Sequence, residues 1–111
     1  MIKATDVSPL HEVEHMALYS ELVSSLYHDG WVGRPILATE IDGETIALTG
    51  SHRIAAARHN DMGVPVVMVA MTPEQVERCI EGFQDDRLVV IRETGNADAV
   101  ALFELELAEG R

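Results

Sequence analysis

Apolar residues first recur at helical spacing at Leu18, Tyr19, Leu22, Val23 and Leu26, with Glu14 and Glu21 elsewhere on the wheel, so residues 9–29 predict an amphipathic helix ending near Gly30. The period then shortens. Pro35 to Ile41 and Glu44 to Leu48 are β-rich runs, and the Asp42-Gly43 pair between them suits the positive-φ positions of a tight hairpin. An antiparallel pair is expected. His52 to Asn60 is alanine-rich and free of proline and glycine, which favours helix, with Ser51 as its N-cap and Gly63 closing it. Val64 to Ala70 is an apolar run expected to be buried on both faces at the centre of the sheet. Thr72-Pro73-Glu74-Gln75 combines a capping threonine, proline at the first helical position and glutamine three residues after the cap. A helix starts there, with Val76, Cys79, Ile80 and Phe83 as its buried stripe. Residues 86–94 stay open between strand and helix, whereas Asp98 to Glu109, rich in Ala, Leu and Glu, reads as helix. The fold class is therefore α/β (α+β): a small mixed sheet with an N-terminal helix, a hairpin, a helix after a glycine turn and a helical C-terminal third.

Composition bounds this picture. A length of 111 residues with 47% hydrophobic content suits one domain with one modest core. The single cysteine, Cys79, cannot form an internal disulfide, and the first residues lack the basic-then-apolar pattern of a secretory signal. No apolar run reaches the roughly 18–20 residues that cross a bilayer. A soluble cytoplasmic protein with no membrane partner is expected.

Charge narrows the partners further. The net charge is −11 and Lys3 is the only lysine, so direct DNA binding through phosphate neutralisation is disfavoured. The charge is uneven, because residues 31–63 carry only about −1. That central stretch, which holds Arg34, Arg53, Arg58, His52 and His59, is where a small anion meets least repulsion.

The chemistry concentrates at Thr49-Gly50-Ser51-His52-Arg53. Strand, glycine turn, polar residue and helix in that order put the backbone N–H groups of residues 51–53 at a helix start, where four amides lack intrahelical partners and the macrodipole is positive. Gly50 permits close approach of a phosphate to the backbone. Arg53 offers a guanidinium fork, His52 a donor that strengthens on protonation and Ser51 a hydroxyl. The plainer alternative is that Gly50 turns the chain, Ser51 caps the helix, and His52 and Arg53 are solvated. Arg34 either faces a ligand or bridges to an acid; Trp31 either covers the sheet or stacks on a base. Arg58 is read as solvated before a second anion contact. His11 and His15 share a helical spacing that suits a metal, but no third ligand accompanies them, and Cys79 reads as core.

Taken together, Asp29-Gly30-Trp31, Arg34-Pro35-Ile36-Leu37, the hairpin, Thr49 to Ala57 and Val64-Pro65-Val66-Val67 resemble the ParB/sulfiredoxin superfamily in order and spacing, over roughly residues 5–72. Residues 73–111 would be a helical extension of a single domain spanning 1–111. The resemblance implies that Gly50, Ser51, His52 and Arg53 cradle the phosphates of a nucleoside triphosphate, ATP or CTP; Arg34 is a further candidate contact, and Mg²⁺ follows from polyphosphate chemistry. Departures limit the inheritance. Ser51 stands where sulfiredoxins have their nucleophilic cysteine, and a hydroxyl cannot replace a thiolate in sulfinic-acid chemistry. ParB proteins have a glutamate and two arginines at residues 51–53 and continue into a DNA-reading region, whereas 40 residues with a net acidic charge follow Met71 here. The related free-serine kinases are nearer, with histidine and arginine at the positions of His52 and Arg53 and an acidic base in the region of Leu10-His11-Glu12.

Three functions follow as expectations. In the first, a nucleotide-binding domain acts as a phosphotransferase or NTP hydrolase, with Glu12 as base and Glu14 as the weaker candidate. In the second, a non-catalytic interaction or regulatory module binds a protein through its acidic C-terminal helices. The third is a ParB-like DNA-binding protein or nuclease, placed last because no pair of metal-binding carboxylates accompanies the loop. Val100, Phe103 and Leu107 also offer an apolar face through which the last helix could pair in a homodimer.

Overall fold

The computed structural model describes residues 1–10 and 12–108, the Gln84 side chain excepted. The order of elements is β1 (Ile2–Lys3), a 3-10 turn (Ala4–Asp6), β2 (Val7–Ser8), α1 (Met16–Asp29), β3 (Ile36–Ile41), β4 (Glu44–Ala47), α2 (Ser51–His59), β5 (Gly63–Val64), β6 (Val66–Met68), α3 (Pro73–Glu81), α4 (Gln84–Glu93) and α5 (Ala97–Ala108). Among the described residues this is a small mixed α/β fold with helices at its C-terminal end.

The hairpin is the organising pair. β3 and β4 run antiparallel with Thr39 opposite Ile46, and Asp42 and Gly43 take φ of 52° and 81°, the left-handed pair that matches the twist of two-residue hairpins. β2 joins β4 in parallel and β6 joins β3 in parallel, giving the order β2-β4-β3-β6. A separate antiparallel pair joins β1 to β5. Ile36 to Thr39 are all buried, so β3 is covered on both faces. Successive side chains of a strand point to opposite faces. Ile36 and Ala47 accordingly enter one cluster, with Leu26 of α1 and Ile54, Ala56 and Ala57 of α2. Leu37 and Leu48 enter the other, with Cys79, Val90, Ile91, Ala99 and Phe103 of the C-terminal helices.

Several expectations are corrected by this arrangement. The run at 64–70 is not the sheet centre. Pro65, which has no amide to donate, splits it into β5 and β6, and β6 lies at the edge of its sheet with Met68 exposed. The double burial expected there belongs to β3. The first helix begins at Met16, not near Pro9. Leu10 packs on the second cluster while Tyr19, Leu22 and Val23 of α1 pack on the first, and residues 12–15 connect them without helix.

On α3, the expected cap is present: Thr72 Oγ1 accepts from Gln75 N at 3.2 Å and Gln75 Oε1 accepts from Thr72 N at 3.0 Å. Val76 and Cys79 are buried, but Ile80 and Phe83 are exposed, Phe83 to 85%. The helix stops at Glu81, so Phe83 leaves the stripe and starts α4. The ambiguous stretch at 86–94 is helical. Arg78 of α3 forms two hydrogen bonds to Glu93 of α4 at 2.7 and 2.8 Å, and its hydrogen bonding holds the Glu93 carboxyl below the usual range. The face of α5 considered for a homodimer is taken up within the chain, with Phe103 buried and Val100 and Leu107 packed around it. Glu109, placed in that helix from sequence, lies outside the described residues.

The junction between hairpin and α2 is tight. Gly50 takes φ of 76° and ψ of 31°, and a Cβ there would lie 2.7 Å from Ile36 Cγ2. Both conformation and space exclude a side chain. Gly50→Ala is therefore expected to destabilise the fold by roughly 1–3 kcal/mol. Chemical denaturation of the two proteins side by side checks this, and an unchanged midpoint would show that the turn relaxes freely.

Candidate functional site

A pocket of about 590 Å³ opens where α1, the loop at residues 30–34, the Gly50 turn, α2 and α5 meet. Of the residues singled out from sequence, Arg34, Gly50, Ser51, His52 and Arg53 all line it; Glu12 is exposed and is not on its wall. Glu14 and His15 are. Apolar lining comes from α1, with Leu18, Leu22 and Leu26, and from Phe103 and Leu107 of α5.

The start of α2 differs in detail from expectation. Gly50, in the left-handed region, is the cap residue, and Ser51 is the first helical residue, with no side-chain cap bond at this end. The first intrahelical bond runs from Ile54 N to Gly50 O at 2.8 Å. Thr49 Oγ1 accepts from Leu37 N at 3.0 Å and ties the turn to β3. The amide end of α2 thus faces the pocket on a rigid mount.

His52 has a role the sequence did not disclose. Its Nε2 accepts from the amides of Glu14 and His15 at 3.2 and 3.1 Å, and the His15 ring stacks on it with centroids 5.7 Å apart. An accepting Nε2 leaves the ring proton on Nδ1. His52 therefore holds the segment before α1 against the head of α2, where a donor to phosphate was expected. This contact also explains why Glu12 and Glu14 stand in non-helical chain instead of a first helical turn.

Arg53 is not a solvated residue. Its side chain is 15% exposed; Nη2 donates to Arg34 O at 2.8 Å and Val32 O at 3.4 Å, and the guanidinium lies 4.1 Å from the Trp31 ring centroid. Trp31 Nε1 donates to the same Arg34 O at 3.0 Å. Trp31 packs on the first cluster, the covering alternative, and its ring also serves as a platform for Arg53. Arg34 bridges to an acid, but a buried one: its Nε and Nη2 lie 3.4 and 3.3 Å from Glu106 Oε1, and Arg53 Nη1 lies 3.9 Å from the same oxygen. Glu106 was missed because it lies in an acidic helix where each glutamate reads as solvated. Its spacing of three and seven residues from Phe103 and Ala99, on the buried face, was the available signal.

Other candidates lie elsewhere. Arg58 is committed to the N-terminal segment, its Nε donating to Ala4 O at 2.9 Å and its Nη2 to Val7 O. Arg87 reaches the pocket wall while its Nε donates to Cys79 O at 2.9 Å. Cys79 is fully buried, and burial pushes its thiol pKa up, the reverse of what a nucleophilic thiolate requires. His11 falls outside the described residues, so the His11–His15 pair has no structural counterpart here. Among the described residues no group of three or more His, Cys, Asp or Glu is arranged to hold a metal ion, and no helix is long and apolar enough to cross a membrane.

If His52 anchors the preceding strap, His52→Ala should accelerate amide hydrogen exchange at Glu14 and His15 severalfold, since each loses a bond of about 1 kcal/mol. Residue-resolved exchange by NMR reads this directly. Unaltered exchange at both amides would mean that the strap is held by other contacts.

No family profile and no curated protein matches the chain in sequence. Its fold is similar to that of the sulfiredoxin from Arabidopsis thaliana, with a TM-score of 0.60 and 18% identity over 73% of this chain and 94% of that one. It is also similar to a conserved hypothetical protein from Pyrococcus furiosus, with a TM-score of 0.54 and 23% identity over 67% of this chain. The match spans about a third (33%) of that second protein. The resemblance drawn from sequence is thus matched by a shared sulfiredoxin-like fold.

Proposed function

We propose, from the sulfiredoxin-like fold and the pocket at the Gly50 turn, that this chain binds the phosphates of a nucleoside triphosphate at the head of α2. The observation that carries the reading is convergence: the amide end of a nine-residue helix, Arg34, Arg53 and Arg87 all border one cavity of about 590 Å³. Unpaired helix amides and guanidinium forks are the two protein devices best suited to phosphate oxygens. The apolar wall from α1 and α5 gives a base or sugar somewhere to lie. ATP and CTP are the candidates, and Mg²⁺ would arrive with the phosphates, since hydrated Mg²⁺ is commonly held by substrate phosphates and few protein ligands. The setting is the cytoplasm.

Phosphoryl transfer or hydrolysis at this site would need a group that orients a hydroxyl or water. Glu14, on the pocket wall, is better placed for that role than the exposed Glu12. Sulfinic-acid reduction finds no support, because Ser51 stands at the loop and Cys79 is buried in the second core. A protein-interaction role is the second reading, favoured by the exposure of Ile80, Phe83 and Val89 on the α3–α4 hairpin.

Thermal denaturation with millimolar ATP, CTP or GTP and Mg²⁺ separates the two. A ligand bound only by the folded state at 100 times its Kd adds about 2.7 kcal/mol, and the melting midpoint should rise by several degrees. Arg53→Ala should abolish that rise, because it removes a guanidinium from the cavity wall, with circular dichroism of the ligand-free variant confirming that it is folded. If no nucleotide moves the midpoint, the interaction role takes its place.

A further inference from the structure

Glu106 is the anomaly of α5. The buried face of this helix runs through Ala99, Phe103 and Glu106, so a carboxylate occupies a position that periodicity assigns to an apolar residue. It is only 8% exposed. A carboxylate withdrawn from water to that degree requires paired cations, and Glu106 has them in Arg34 and Arg53. Those arginines also border the pocket beside the head of α2. An anionic oxygen from the chain itself therefore already lies between the guanidinium groups.

We infer that Glu106 is a built-in competitor for the phosphate site, an internal carboxylate that occupies the arginine pair until a polyphosphate displaces it. The inference rests on the phosphate-binding reading of the pocket and adds a regulatory element to it. A phosphate oxygen and the Glu106 carboxylate cannot share the arginine pair without strong repulsion, because like charges a few ångströms apart in a half-buried site are poorly screened. Binding must therefore move Glu106 away from Arg34 and Arg53. Displacement loosens the end of α5, which Glu106 ties to Arg34 and Arg53. Conversely, whatever holds α5 in place disfavours binding. The apparent affinity of the site is then set by the docking of α5 as well as by the pocket itself.

Tripolyphosphate is the probe that isolates the anion contact from base and sugar, and Trp31, stacked on Arg53, is the fluorescent reporter. Glu106→Gln keeps the shape and removes the charge. Its affinity for tripolyphosphate should exceed that of the unaltered chain by at least about tenfold. Equal or weaker binding by Glu106→Gln, with the unaltered chain binding, would overturn the competitor role and leave the phosphate site standing. Absence of binding by both folded proteins would overturn the phosphate site and the inference with it. A second measurement needs no variant: amide exchange in residues 103–107 of the unaltered chain should accelerate on addition of saturating tripolyphosphate. Unchanged or slower exchange contradicts displacement.

Discussion

The left-handed turn at Gly50, pressed against Ile36, is the constraint on which the remaining geometry depends. The absence of a Cβ lets β4 hand over directly to α2 while Ile36 of the neighbouring strand fills the space behind the turn. The same strand carries Leu37, whose amide is bonded to Thr49 Oγ1 one residue before the turn. β3 thus fixes the head of α2 from two adjacent positions. A helix end mounted this way does not need a capping side chain, and its amides remain directed at the pocket.

Around that mount the polar groups are largely engaged with one another. His52 holds the segment at 12–15, Arg53 spans Trp31, two carbonyls and Glu106, and Arg34 joins Glu106 from the opposite side. Such a cluster is pre-organised: half-buried arginines held by carbonyls, an aromatic face and Glu106 lose little freedom when an anion arrives. The cost lies in what must be exchanged. Under the proposed reading, a phosphate gains the arginines only in so far as Glu106 gives them up, and the pocket is a contest between two anions. The strongly acidic chain outside residues 31–63 adds to that contest, and cationic or metal-bound forms of the ligand would suffer less from it.

Much of this arrangement was legible in the residues. Asp42-Gly43, the Thr72 capping box and the glycine before an alanine-rich helix each encode a local geometry with few alternatives, and each is present. What local pattern could not disclose was tertiary. The apolar run around Pro65 points to a sheet centre, but β6 lies at the sheet edge and the centre is held by β4 and β3. The start of α1 depended on a histidine about 40 residues away, and the burial of Glu106 on which loop arginines it would meet. The ambiguous stretch at 86–94 is settled by burial of Val90 and Ile91 in the second cluster, again a long-range effect. That the loop residues 50–53 border a common cavity is legible in the chain; their partners are not.

The most direct test of the central claim is to follow the backbone ¹H–¹⁵N signals during titration with a magnesium nucleoside triphosphate. Binding at the head of α2 requires the largest displacements at Ser51, His52 and Arg53, with the signals of α3 and of β5 nearly still. Displacements centred on the α3–α4 hairpin, or none at the amides of residues 51–53 at saturation, would contradict the account.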